Sequence, residues 1–250
     1  MNGVNLLWIL SGVTFITAFG LRLSKRIGLE RWLIGISVLG LISFMFVRAW
    51  IGDAFVITAL LDAPFFIPLS AGVILLFVVW GGDGQDKGIL AVYGVLLIFW
   101  TFGFIYPKGV IPPAANKSGL FPFLFFLFEN VAYAFFGLSG GYAAFMNKNK
   151  LSMLALARRL VALGFIFFSV AQVLGAMWSF LGWGHPFMWS SRHLGSAAVW
   201  LMYAAVIHIR FGVSSKQFER WAIVSAALVS FYLHYAHLLF EMGMPRLGGR

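Results

Sequence analysis

The chain has 250 residues, 61% of them hydrophobic and 10% charged, with a mean hydropathy of +0.92 and a formal net charge of +10. That balance excludes a soluble domain with a polar surface and implies an integral membrane protein. Without a single cysteine, the chain has no disulfide, no Cys-ligated metal, no thiol chemistry and no CxxCH site for attaching haem to itself.

Apolar stretches of roughly 20 residues, enough to cross about 30 Å of hydrocarbon, recur along the whole length, which implies helices and not a barrel. Eight are expected, at Asn5 to Leu21, Trp32 to Trp50, Val56 to Trp80, Ile89 to Tyr106, Leu120 to Met146, Leu160 to Leu181, Leu194 to Ile209 and Trp221 to Met242. The first has no basic segment before it and no small-residue cleavage site after it, and it is read as a retained helix. The glycine-rich stretch from Gly81 to Gly88 lacks the order of a phosphate loop and follows an apolar helix, so it is read as a turn. The Pro-Pro pair and Asn-Lys-Ser-Gly run between Pro107 and Gly119 are turn chemistry too. No connection exceeds about a dozen residues, and a single all-α, polytopic transmembrane domain over residues 1–250 is expected.

Twelve of the 18 lysines and arginines fall in alternate connections: Arg22, Lys25, Arg26 and Arg31 in the first, Lys87 in the third, Lys148, Lys150, Arg158 and Arg159 in the fifth, and Arg210, Lys216 and Arg220 in the seventh. The positive-inside rule then places both termini, and the tryptophan-rich segment from Gly175 to Arg210, on the extracytoplasmic side. The same distribution points to the lipid bilayer, and not nucleic acid, as the partner of the basic charge.

All five histidines, His185, His193, His208, His234 and His237, lie in the last third of the chain. Ionisable groups in or near a bilayer are costly, so the asymmetry points to a site built by the last three helices. Trp178, Trp183, Trp189 and Trp200 surround a short loop carrying His185, Pro186, Arg192 and His193. Two readings stay open: an aromatic belt at headgroup level with Arg192 snorkelling outward, or flat faces bracketing a flat apolar ligand whose carboxylates meet Arg192. His234 and His237, spaced i, i+3, share a helix face; they are either a hydrogen-bonded interface pair or ligands for a haem iron or another metal. His208 and Arg210 are read as marking a helix boundary. Glu129, the one carboxylate deep in an apolar stretch, is expected to pair with a polar neighbour or stay protonated, and Asp53 and Asp62 to be solvated.

The stretch GAMWSFLGWGHPFMWSSRHLGSAAVWLMYAAVIHIR, Gly175 to Arg210, is similar without gaps to the tryptophan-rich signature of the cytochrome c assembly family, GAxWAxxAWGxYWxWDPKExWxxxxWLxYAxYLHxR. Shared positions include Gly175, Ala176, Trp178, Trp183, Gly184, Trp189, Trp200, Tyr203, His208 and Arg210. IPLSAGVILLFVVW (Ile67 to Trp80), IPPAANKSGLFPF (Ile111 to Phe123) and LVSFYLHYAHLLF in the last helix resemble further family segments. Where the family reads WDPKE, the chain has Trp189, Ser190, Ser191, Arg192 and His193, and the family's axial histidine ahead of the signature falls on Phe123.

The resemblance implies a haem-handling protein that holds haem at the extracytoplasmic face for delivery to apocytochrome c, alongside other cytochrome c assembly membrane proteins. A bacterial or archaeal cytoplasmic membrane is the location it implies. Trp178, Trp183 and Trp189 would bracket the porphyrin, with Arg192 and His193 beside it, and His237 or His234 would ligate iron. No catalytic side chain is assigned, since the thiols for attachment would come from the client. The alternatives are a non-catalytic membrane subunit of a respiratory or transport complex that keeps the fold but has lost full haem ligation, and a small-molecule transporter. The latter is disfavoured by the lack of paired midplane charges.

Overall fold

The computed structural model describes residues 3–24, 26–51, 62–81, 88–105, 119–145, 151–212 and 215–241. Among them the chain forms eight helices: α1 (Gly3–Leu23), α2 (Ile27–Ile51), α3 (Ala63–Gly81), α4 (Gly88–Ile105), α5 (Leu120–Ala144), α6 (Leu151–Trp183), α7 (Ser191–Gly212) and α8 (Lys216–Glu241). This is the all-α, polytopic membrane architecture that the hydropathy pattern implies. Four helical stretches, Asn5–Leu23, Gly28–Ile51, Leu120–Ala144 and Leu154–Trp183, are long and apolar enough to cross a membrane, and Ala63–Val79 and Ile89–Phe104 are shorter apolar runs.

Three expected boundaries move. The sixth helix begins at Leu151 and not Leu160, so Arg158 and Arg159 stand on α6 and not in a connection. Its first two turns, LSMLALARR, are good helix formers, and the Arg158 guanidinium grips the Glu219 carboxylate of α8 through two nitrogens. Likewise Arg31 belongs to α2, and Lys216 and Arg220 to α8. Asp62 is not simply solvated: it accepts a 2.8 Å ion pair from Arg48. The expected start of the third helix at Val56, and Asp53, fall outside the described residues.

The surface is apolar and the polar groups turn inward. Leu10, Val13 and Ile16 of α1 and Phe218, Trp221, Leu228 and Tyr232 of α8 are exposed, whereas Glu30, Glu129, Glu219, Ser230 and His234 are buried. That inversion is what lipid demands of a bundle, because backbone and side-chain polar groups must find partners inside. At one end, Arg22 pairs with Glu30 at 3.3 Å and the Tyr93 hydroxyl donates to the same carboxylate at 2.7 Å, tying α1, α2 and α4 together. Arg220 of α8 donates to the Ala143 and Ala144 carbonyls at 2.8 and 2.6 Å, satisfying acceptors that the end of α5 leaves open.

Helix α5 is central, packed on α3, α4, α6 and α8. Its Gly140 lets α8 approach so closely that a β-carbon there would collide with Ala227. Phe136 of α5 stacks on Tyr203 of α7, ring centroids 3.5 Å apart and planes 7° from parallel, and the Tyr203 hydroxyl meets Ser230 of α8 at 3.3 Å. These contacts tie α5, α7 and α8 together beside the space described next.

Candidate functional site

At the end of the bundle where α6 finishes and α7 begins lies a cavity of about 760 Å³, within the range of roughly 300–1,000 Å³ common to ligand pockets. Helical periodicity builds its walls. From α6 come Gln172, Gly175, Ala176, Ser179 and Trp183; from α7, Arg192, His193, Ser196, Ala197, Trp200 and Leu201. Each set repeats at three- and four-residue steps and so forms one stripe along its helix. Small residues at the middle of both stripes leave the space open, while Trp183, Trp200 and, from α5, Phe125 and Phe126 enclose it.

The loop between α6 and α7 is shaped locally. Gly184 ends α6 in the left-handed region, φ +75°, and its N–H reaches the Phe180 carbonyl at 2.8 Å, a helix stop that a residue with a β-carbon would strain. The Ser179 hydroxyl donates to the His185 carbonyl at 2.7 Å, pulling the loop back over α6. Ser190 then caps α7: its Oγ accepts the His193 backbone N–H at 3.4 Å and meets His193 Nδ1 at 2.8 Å.

Aromatic rings meet across the site at steep angles, edge to face in all but the tilted Trp178–Phe125 contact. Trp178 lies 5.6 Å from Trp183, 5.8 Å from Phe125 and 5.7 Å from Phe126, and Phe187 lies 5.5 Å from both Trp189 and His193. The charge sits beneath them. Arg192 donates to Glu129 of α5 at 3.3 Å, and its guanidinium rests 5.4 Å from the rings of both Phe125 and Phe126. Glu129 therefore pairs as its position suggested, and Arg192 turns into the bundle where snorkelling would have carried it out. Just before the apolar run that starts at Leu194, burial and the neighbouring Arg192 charge hold the His193 imidazole below its ordinary range, which favours the neutral, ligating form.

The cavity thus gathers Trp178, Trp183, Arg192 and His193. Two of the expected residues, Trp189 and His234, it does not gather. Trp189 is 85% exposed and stands outside the lining. His234 is buried between α5 and α8 with its ring 4.1 Å from that of Tyr133, again outside the lining. His237 lies on α8 beyond the residues whose side chains are described. His208 bonds within its own helix, Nδ1 to the Ala204 carbonyl at 2.7 Å. Phe123, at the position of the expected histidine, packs half-buried against the core. Sequence reasoning missed the α5 wall, although Phe125 and Phe126 stand four and three residues before Glu129 and share its face. Among the described residues, no three His, Asp or Glu side chains converge as a metal site.

The cytochrome c biogenesis protein CcsA of Cyanidium caldarium is 29% identical over 90 residues, 35% of this chain and 29% of that protein. CcsA of Thermosynechococcus vestitus is 36% identical over 55 residues, 22% of this chain and 17% of that one. The chain therefore matches under a third of the length of these curated relatives. The solved structure of the cytochrome c haem lyase CcmF shares the fold, with a TM-score of 0.68 at 15% identity over 96% of this chain and 49% of the lyase chain. The family model for the cytochrome c assembly protein matches residues 88–242, more than half the chain and the whole of the cavity wall, and the chain belongs to that family.

Proposed function

We propose that the protein is a haem-handling membrane component of cytochrome c biogenesis, which holds haem in the α5–α6–α7 cavity at the extracytoplasmic face for delivery to apocytochrome c. The observation that carries this reading is the cavity itself, formed by the tryptophan-rich segment and walled by flat aromatic rings with one arginine and one imidazole. Its size, its apolar faces and that donor set fit a porphyrin carrying carboxylates and an iron centre. In this reading Trp178 and Trp183 flank the ring. Arg192 meets a propionate with N–H donors left over from the Glu129 pair, since a guanidinium has five, and exposed Trp189 stands at the rim where a client docks. Haem bound there supplies the group to be attached, and the client supplies the thiols, because the chain has none. Other assembly proteins of the same membrane would present the client, and both termini lie on the side of the cavity. A bacterial or archaeal cytoplasmic membrane is the proposed location.

The test is a haemin titration of the purified protein in lipid nanodiscs, followed by the Soret band and by quenching of tryptophan fluorescence. A saturable Soret band is expected, weakened by Trp183→Ala and abolished by Ala197→Trp, which fills the space between α6 and α7. A protein that never acquires a Soret band with added haemin refutes the reading, and leaves the non-catalytic membrane subunit in its place.

A further inference from the structure

Among the described residues, two side chains in the cavity wall carry atoms able to ligate haem iron, the His193 imidazole and the Met188 thioether. Only His193 is fixed in the way that metal-bound imidazoles are. Its Nδ1 stands 2.8 Å from Ser190 Oγ, and the same oxygen accepts the His193 backbone N–H at 3.4 Å. One serine, as the cap of α7, thereby sets both the backbone and the ring of His193. A hydroxyl oxygen has two lone pairs, so it can take the N–H of the backbone and the Nδ1–H of the ring together. With Nδ1–H donated to Ser190, Nε2 keeps its lone pair. Histidine ligands are held by this kind of bond from the far ring nitrogen, which fixes tautomer and orientation.

Resting on the haem reading above, we propose that His193 is the iron ligand of the cavity and Ser190 its positioning residue. The ligand expected ahead of the tryptophan segment is replaced by Phe123, which cannot bind iron, and His234 is turned to Tyr133 between α5 and α8. In this chain the ligand has moved from α5 to the first turn of α7, on the Ser190–His193 cap.

The experiment compares haemin with metal-free protoporphyrin IX on the full chain in nanodiscs, for the wild type and for His193→Ala, Met188→Leu, His237→Ala and Ser190→Ala. Tryptophan quenching reads cavity occupancy by either porphyrin, and the Soret position and low-temperature electron paramagnetic resonance read the ligand. In wild type, both porphyrins quench and ferric haem shows nitrogen ligation. His193→Ala is expected to lose that signature and at least about tenfold in haemin affinity, to bind protoporphyrin as wild type does, and to regain the signature with added imidazole. Ser190→Ala is expected to weaken haemin about tenfold while sparing protoporphyrin, as loss of an imidazole's supporting bond does, and Ser190→Thr to restore it.

A His193→Ala protein with an unchanged Soret band and resonance spectrum overturns the assignment and leaves haem binding standing. So does loss of the signature in Met188→Leu or His237→Ala but not in His193→Ala. Equal loss of both porphyrins in His193→Ala also overturns it, because His193 would then be only wall. Failure of wild type to bind haemin, seen before any variant is made, is instead the failure of the haem reading itself.

Discussion

The Arg192–Glu129 pair links the loop that makes the cavity to the helix at the centre of the bundle, and its energetics can be worked from the geometry. At 3.3 Å and an effective dielectric of about 20, the attraction is about 5 kcal/mol before desolvation is counted. The two partners are not equally buried, 24% of the Arg192 side chain being exposed against 4% of Glu129. Removing the cation strands a buried carboxylate in an apolar wall without its partner. Arg192→Met should therefore cost about 2–3 kcal/mol, below the roughly 3–5 of a fully buried pair. Glu129→Gln leaves an arginine that still rests on Phe125 and Phe126 and can reach water, at about 1–2 kcal/mol. The double variant should recover about 1–2 kcal/mol of the summed cost. Reversible unfolding by SDS in mixed micelles measures all three. If the two costs add to within about 0.5 kcal/mol, the pair does not couple α7 to α5 and the reasoning fails. One functional consequence follows from the sign of the charge. Glu129→Gln uncovers the Arg192 cation in the cavity, so haemin, with its two carboxylates, should bind more tightly and with greater salt sensitivity than to wild type.

Three further outcomes are expected. Gly184→Ala should cost about 1 kcal/mol because it puts a β-carbon on a left-handed helix stop, whereas Gly182→Ala, two residues earlier in helical backbone with open space around it, should gain about 0.5 kcal/mol; thermal unfolding of the two variants side by side checks the contrast. Arg220→Met removes two charge-assisted bonds to the end of α5 and should cost about 2–3 kcal/mol, measured by the same SDS titration, with Arg220→Lys recovering part of it. Ala197→Trp should exclude porphyrin while leaving the melting temperature within a few degrees of wild type, because it fills space that is open; a large drop in melting temperature would show that the cavity wall is instead close-packed.

The helices were legible because membrane spans are written in long apolar runs, and the errors fell where that signal is weakest. Hydropathy starts α6 nine residues late because Arg158 and Arg159 look like a connection; the structure gives Arg158 a carboxylate partner on α8, 61 positions away. Asp62 looked solvated for the same reason, its partner Arg48 standing on the preceding helix. Hydropathy ranks residues singly, while burying a charge depends on a pair. The Glu30 site on α2 went unread too, since nothing near it in sequence announces that Arg22 and Tyr93 converge there.

The cavity divides along the same line. Its α6 and α7 walls could be read from the tryptophan segment, whose three- and four-residue steps place Gly175, Ala176 and Ser179 opposite Ser196 and Ala197. The α5 wall could not, because Glu129 and Arg192 lie 63 residues apart and only the fold pairs them. That pairing changes what the substituted signature means. Where the family carries an acidic pair, this chain has Ser190 and His193, and with Arg192 between them and no acid beside it, the mouth of α7 read alone is basic. In the structure, Glu129 on the facing helix returns one acid to the site, and the Ser190 cap holds His193 by a neutral bond. The local charge is thus brought back toward balance from the α5 side, with an imidazole left over in the wall. The departures from the family pattern at Ser190 and His193 therefore belong with Arg192 and Glu129 to one local arrangement, and a variant at any one of them should be read together with its partners.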